Sequence, residues 1–167
     1  RDVALFDLAR AYFAEHRWAE GRLALLRSLD SAPPERRWDC VFALARADAA
    51  RGAPKEALWW LKTGRATDRS NACVQAAKVI WRAQAGESVT RGSLAKAYDA
   101  LQNLTTRPII GDFFAAQLLH LLGNPEATAV FEQFKQAVSE LGCIQRLGLA
   151  AELFATEEHL VELTPQH

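Results

Sequence analysis

Methionine is absent from the 167 residues, and there are only three cysteines and two tyrosines. The cysteines, Cys40, Cys73 and Cys143, are odd in number and widely spaced, and none forms a Cys-x-x-Cys pair. That argues against a zinc site or a disulfide framework and leaves them as small buried apolar residues in helices. Net charge is lacking too: twenty basic residues cancel twenty acidic ones. Nothing in the balance favours nucleic acid or an anionic membrane. Long apolar runs are missing, so no stretch of ~20 residues could cross a bilayer. No charged start leads into an apolar run with a small-residue cleavage site, so no signal peptide is visible. The chain begins at Arg1, and the expectation is a piece of a longer protein. A missing leader then says little about location, and bacterial periplasm or envelope and cytoplasm both stay open.

What is present is helix-forming sequence with regular punctuation. Half the residues are hydrophobic and 24% are charged, the balance of one ordinary globular domain spanning 1–167. Ala, Leu, Arg, Glu and Gln dominate, whereas Val, Ile and Thr are sparse and never alternate. Pro33, Pro34, Pro54, Pro108, Pro125 and Pro165 fall where helices should begin or end, since proline breaks a helix interior but suits its first turn. Gly52, Gly86, Gly123 and Gly142 add stops. The pattern predicts nine helices, over 2–15, 18–30, 35–51, 54–66, 70–85, 91–104, 109–122, 125–141 and 144–163. The short connections require neighbours to lie antiparallel.

The first two pairs share a spacing. Leu5-x2-Leu8-Ala9-x2-Tyr12 aligns with Val41-x2-Leu44-Ala45-x2-Asp48, and Gly21-x3-Leu25 aligns with Ala57-x3-Leu61. Small residues at Ala9 and Ala45, met by Gly21 and Ala57, let the paired helices approach, and the large ones fill the volume around the crossing. A third unit uses Cys73, Ala76, Ala77 and Ile80 with Ala97 and Leu101. A fourth uses Ala115, Ala116, Leu119 and Gly123, then Ala129 and Phe134 with a slip. This pattern resembles the tetratricopeptide-repeat family, well over 2–67 and in degenerate form over 70–141. Asp48 and Asp112 depart from it, standing where large residues are preferred; a buried acid of this kind commonly pairs with a nearby arginine such as Arg51. The resemblance implies an all-α fold, a right-handed solenoid of antiparallel helix pairs. Its units would be 2–34, 35–67, 70–106 and 109–141, followed by a terminal helix at 144–163.

In such a stack the first helix of each pair lines the concave side. The residues not used in packing there are Phe6, Arg10 and Phe13; Phe42, Arg46 and Ala49; Val74, Lys78 and Trp81; and Phe113, Gln117 and His120. Each set is one helix stripe. Across units they form an apolar row, a basic-to-polar row and a mixed aromatic row, at steps near the family's ~34 residues. An apolar row beside a cationic one suits a partner segment with acidic and apolar residues. The alternative is that the Phe row packs between helices while the Arg and Lys heads reach solvent. The family's carboxylate clamp is not carried over: Phe6 and Phe42 stand at one of its places, and Arg10 and Arg46 where Asn is preferred. Of the adjacent Trp59 and Trp60, at least one belongs to the core.

No constellation announces catalysis. His16, His120, His159 and His167 form no His-Glu-x-x-His, and His159 with Glu162 reads as a solvated face rather than a metal site. Phosphate loops and the Gly-x-Ser-x-Gly elbow are missing. Arg36, Arg37 and Trp38 are weak support for nucleic acid. The expectation is a protein–protein interaction scaffold without catalysis or cofactor. The composition looks bacterial, and arrays of this character serve secretion or polysaccharide-export assemblies. A spacer in a longer solenoid and a ligand-responsive sensor are the alternatives.

Overall fold

The computed structural model describes residues 1–64 and 71–163. Among them the chain is all helical, with ten helices and no strand. In order they are α1 (Asp2–Ala14), α2 (Trp18–Ser31), α3 (Pro34–Ala50), α4 (Pro54–Thr63), α5 (Ala72–Gln84), α6 (Arg91–Gln102), α7 (Ile109–Leu121), α8 (Ala127–Ser139), α9 (Cys143–Leu147) and α10 (Ala150–Leu163). No helix of the described residues is long and apolar enough to cross a membrane. Two compact units form: Arg1–Thr67 with Gly142–Ala151, and Asp68–Leu141 with Glu152–His167.

The punctuation works as expected at most ends. Pro34 and Pro54 open α3 and α4. Asn71 caps α5 by accepting from the Cys73 and Val74 amides, and Thr90 caps α6 by accepting from Ser93 N–H. The odd-numbered helices α1, α3, α5 and α7 then stop in one way. Each is followed by a left-handed residue: His16 (φ 59°), Gly52 (82°), Gly86 (84°) and Gly123 (73°). The next amide reaches back five residues, Arg17 to Tyr12, Ala53 to Asp48, Glu87 to Arg82 and Asn124 to Leu119, at 2.9–3.0 Å. The left-handed residue itself donates to Phe13, Ala49, Ala83 and His120 respectively. This is the Schellman closure, four times over. His16 is the member a glycine-based reading misses, because a side chain there costs ~1–2 kcal/mol of strain.

In the first unit, Ala9, Phe13, Ala24, Leu25, Leu44 and Ala47 form a core cluster across α1, α2 and α3. Gly21 is needed for close approach: a Cβ there would meet the Phe13 ring at 2.5 Å. Ser28, near the end of α2, donates to the Asp2 carbonyl at the start of α1, 2.7 Å away. Arg36, near the start of α3, grips the Asp2 carboxylate through two nitrogens at 2.9 Å. That grip is the first cause holding Asp2 below the ordinary carboxyl range. At the other ends of these helices, Phe13 of α1 stacks on Trp18 of α2.

In the second unit α7 packs on α5, α6 and α8. Phe113 lies 5.4 Å from Phe134 and 6.2 Å from Phe131, ring centre to centre. Phe114, Phe131 and Phe134 are fully buried, each worth ~1.5–3 kcal/mol of transfer free energy.

Several expectations are corrected. The terminal helix expected at 144–163 is two helices, parted at Gly148 and Leu149, where the amide bonds tighten to i→i−3. The helix expected from Pro125 begins at Ala127, which takes the buried small position assigned to Ala129; Ala129 is exposed. The helix expected over 54–66 ends at Thr63, and residues 65–66 lie outside those described, as does His167. Asp48 pairs not with Arg51 but with Arg22 Nε at 3.1 Å, and accepts from Trp60 Nε1 at 3.0 Å. Asp112 pairs with Arg107 at 2.9 Å. Cys40 and Cys73 are buried, but Cys143 is exposed. Trp59 is exposed, while Trp60 is half-buried. Leu8, aligned with the buried Leu44, is 44% exposed.

Candidate functional site

Of the stripe residues in the first unit, Phe6, Arg10, Phe13 and Arg46 share one groove on α1 and α3, floored by Ala9, Leu25 and Ala43. Its other side is made by the chain itself: Leu147, Gly148, Ala150 and Ala151 sit across it. The space left is about 30 Å³, room for roughly two waters.

The two arginines are held differently. The Arg10 guanidinium lies 4.5 Å over the Phe6 ring and 3.8 Å from the exposed carboxylate of Asp7. Arg46 lies 5.8 Å from the Phe42 ring centre and donates from Nη2 to the Gly148 carbonyl at 2.7 Å. That carbonyl belongs to the C-cap of α9, where helix-end carbonyls commonly take side-chain donors. Phe42 in turn stacks on Trp38 at 5.6 Å. Aromatic faces thus hold both cations, and Arg46 faces a main-chain acceptor, an arrangement that binds peptide groups and carboxylates.

The second unit places its stripe differently. Lys78 is exposed and His120 is half-buried, whereas Val74, Trp81, Phe113 and Gln117 are buried. Their area is spent on the interior, because α7 is enclosed on most sides. His120 lies 5.3 Å from His159, whose ring stacks on Phe131 at 4.9 Å. Burial foremost, then the charge on His120, pulls the His159 pKa below its ordinary value; Glu162 opposes. Gln117 Oε1, Thr156 Oγ1 and His159 Nδ1 are buried without a hydrogen-bond partner. The Arg36–Arg37–Trp38 cluster is engaged internally: Arg36 by Asp2, Arg37 by the Leu29 carbonyl and Trp38 by Phe42.

The sequence stripe pointed to Phe6, Arg10, Phe13 and Arg46. It gave no signal for Leu147, Gly148 or Ala150, which reach the groove from over a hundred residues away. Among the described residues no three His, Cys, Asp or Glu side chains are grouped to hold a metal ion.

These features define an all-helical protein with four like-ended helices and an arginine–aromatic groove. No protein-family model matches the chain, and comparison with curated proteins and with solved structures gives no match.

Proposed function

We propose that the chain is a tetratricopeptide-like scaffold that recruits another protein by holding one of its segments on the α1–α3 wall. Three features support helix pairing of that kind. The Schellman closures recur at α1, α3, α5 and α7. Small residues meet at the crossings, with Ala9, Ala45 and Ala57 fully buried. The start of α1 touches the end of α2 through Asp2 and Ser28, as an antiparallel pair requires.

The observation that carries the functional reading is the seating of residues 147–151 on Phe6, Arg10, Phe13 and Arg46, with Arg46 bonded to a main-chain carbonyl. A wall that takes a segment of its own chain in this way has the chemistry to take one from a partner. By analogy with the family, a bacterial secretion or polysaccharide-export assembly is the setting in keeping with this.

The test is selection of short random peptides on the 167-residue chain, followed by anisotropy titration against the Arg10→Glu, Arg46→Glu double variant. Binders rich in acidic and aliphatic residues that lose roughly a hundredfold in affinity on the double variant are expected. Binders indifferent to the charge reversal, with the variant still helical, would overturn the reading and favour the spacer.

A further inference from the structure

Two large apolar side chains stand in solvent with charges of opposite sign around them. Trp59 on α4 is 55% exposed, and Val161 on α10 is 71% exposed. Lys55, Trp59 and Lys62 fall at i, i+4 and i+7, one stripe of α4, and all three are exposed. Glu56 is the one acid beside them, which leaves the stripe net positive. Trp59 is exposed without being loose. Its ring stands edge-on to Trp60 at 4.8 Å, and Trp60 Nε1 is tied to Asp48 at 3.0 Å. A tryptophan already held in place loses little freedom on contact, which suits it as an anchor.

Val161 has acids alone for charged neighbours on its face of α10. Glu157 and Glu158 lie four and three residues before it and Glu162 follows it, all exposed. The same division runs through the whole chain. The unit that holds α4 has thirteen basic and nine acidic side chains, and the unit that holds Val161 has seven and eleven. A net charge of zero thus conceals one unit of +4 and one of −4.

We infer that copies of this chain associate in series, the α4 stripe of one molecule seated on the α10 stripe of the next. Trp59 meets Val161 at the dry centre of the contact, and Lys55 and Lys62 face Glu157, Glu158 and Glu162 around it. The two surfaces differ, so every molecule offers one of each and the contact repeats. The opposite charges of the units favour this approach over one that brings like surfaces together. The inference is independent of the Arg10–Arg46 wall.

Sedimentation equilibrium of the 167-residue chain is the test. At low salt the weight-average mass should climb above the monomer's 18.5 kDa with rising concentration, up to about 1 mM. In about 0.5 M salt it should fall back toward that value. Trp59→Ala should weaken the association roughly tenfold. One double variant is Lys55→Glu with Lys62→Glu, and the other is Glu158→Lys with Glu162→Lys. Each alone should be monomeric, since like charges then face each other across the contact. Mixed in equal amounts they should associate again, because each supplies the charge that the other lacks. Circular dichroism should be unchanged throughout, the replaced side chains being exposed. A chain that stays monomeric at low salt would overturn the inference and leave the stripes to another protein or to solvent. Association that survives either reversal or Trp59→Ala undiminished, or a mixture that stays monomeric, would overturn it as well.

Discussion

Replacing the left-handed glycines by alanine tests whether the four helix ends are one repeated device. Gly52, Gly86 and Gly123 have φ of 82°, 84° and 73°, and a Cβ at each would meet no atom within 4 Å. Sterics beyond the residue itself therefore play no part. An alanine held left-handed costs ~1–2 kcal/mol. Loss of glycine's freedom in the unfolded chain returns ~0.4–1 kcal/mol. The net prediction is a loss of about 1 kcal/mol for each of the three. His16→Gly, at φ 59°, should move the opposite way by a similar amount, less whatever its stacking on Trp18 at 6.0 Å contributes. Gly148→Ala is the control: with φ −68° and room for a methyl, it should gain ~0.4–1 kcal/mol. Urea titration followed by far-UV circular dichroism reads all five. The transition should be fitted for two units, because Gly52 belongs to the first and Gly86 and Gly123 to the second. Three neutral glycine variants, or a Gly148→Ala that destabilises like them, would refute the reasoning.

Other outcomes follow from single contacts. Gly21→Ala should cost ~1–3 kcal/mol in urea melts, because its methyl would lie 2.5 Å from the Phe13 ring; a neutral result would mean that the α1–α2 crossing is looser than described. Asp48→Ala should cost about 2 kcal/mol, roughly half from the Trp60 indole bond and at most ~1 from half-exposed Arg22, and Trp60 fluorescence should shift in the folded state. His159 carries a pKa below its ordinary 6.5 because it is buried beside His120. The unfolded chain therefore binds the extra proton first, and stability should fall as pH drops from about 6.5 toward the lowered value. A His159→Leu variant should flatten that slope in pH-dependent melts; an unchanged slope would assign it elsewhere.

The all-helical fold could be read from local chemistry, because prolines and glycines act on their own residues. Pro34, Pro54, Gly52, Gly86 and Gly123 mark ends that the structure keeps. Failures came where a distant contact decided the outcome. No proline separates α9 from α10; the break at Gly148 and Leu149 lies where the Arg46 side chain takes the Gly148 carbonyl. Arg51 is nearer to Asp48 in sequence, yet Arg22 on α2 reaches it across the helix packing. The stripe rule picked Phe6, Arg10, Phe13 and Arg46, which line one groove, but also Phe42, which stacks on Trp38 outside its lining. It could not tell that the same stripe on α7 would be enclosed, since Phe113 and Gln117 look as free in sequence as Phe6 and Arg10. Burial is a property of neighbours, and periodicity reports only the helix's own faces.

The wall itself is tested most directly by nuclear magnetic resonance of the arginine side chains. The tightest acidic–aliphatic peptide from the selection would be titrated into isotopically labelled chain, with the Nε–Hε signals of Arg10 and Arg46 assigned by substitution. Movement of both signals, together with the amides around Phe6 and Phe42, is the predicted result. Shifts confined to Lys78 and His120, or none at saturating peptide, would contradict it.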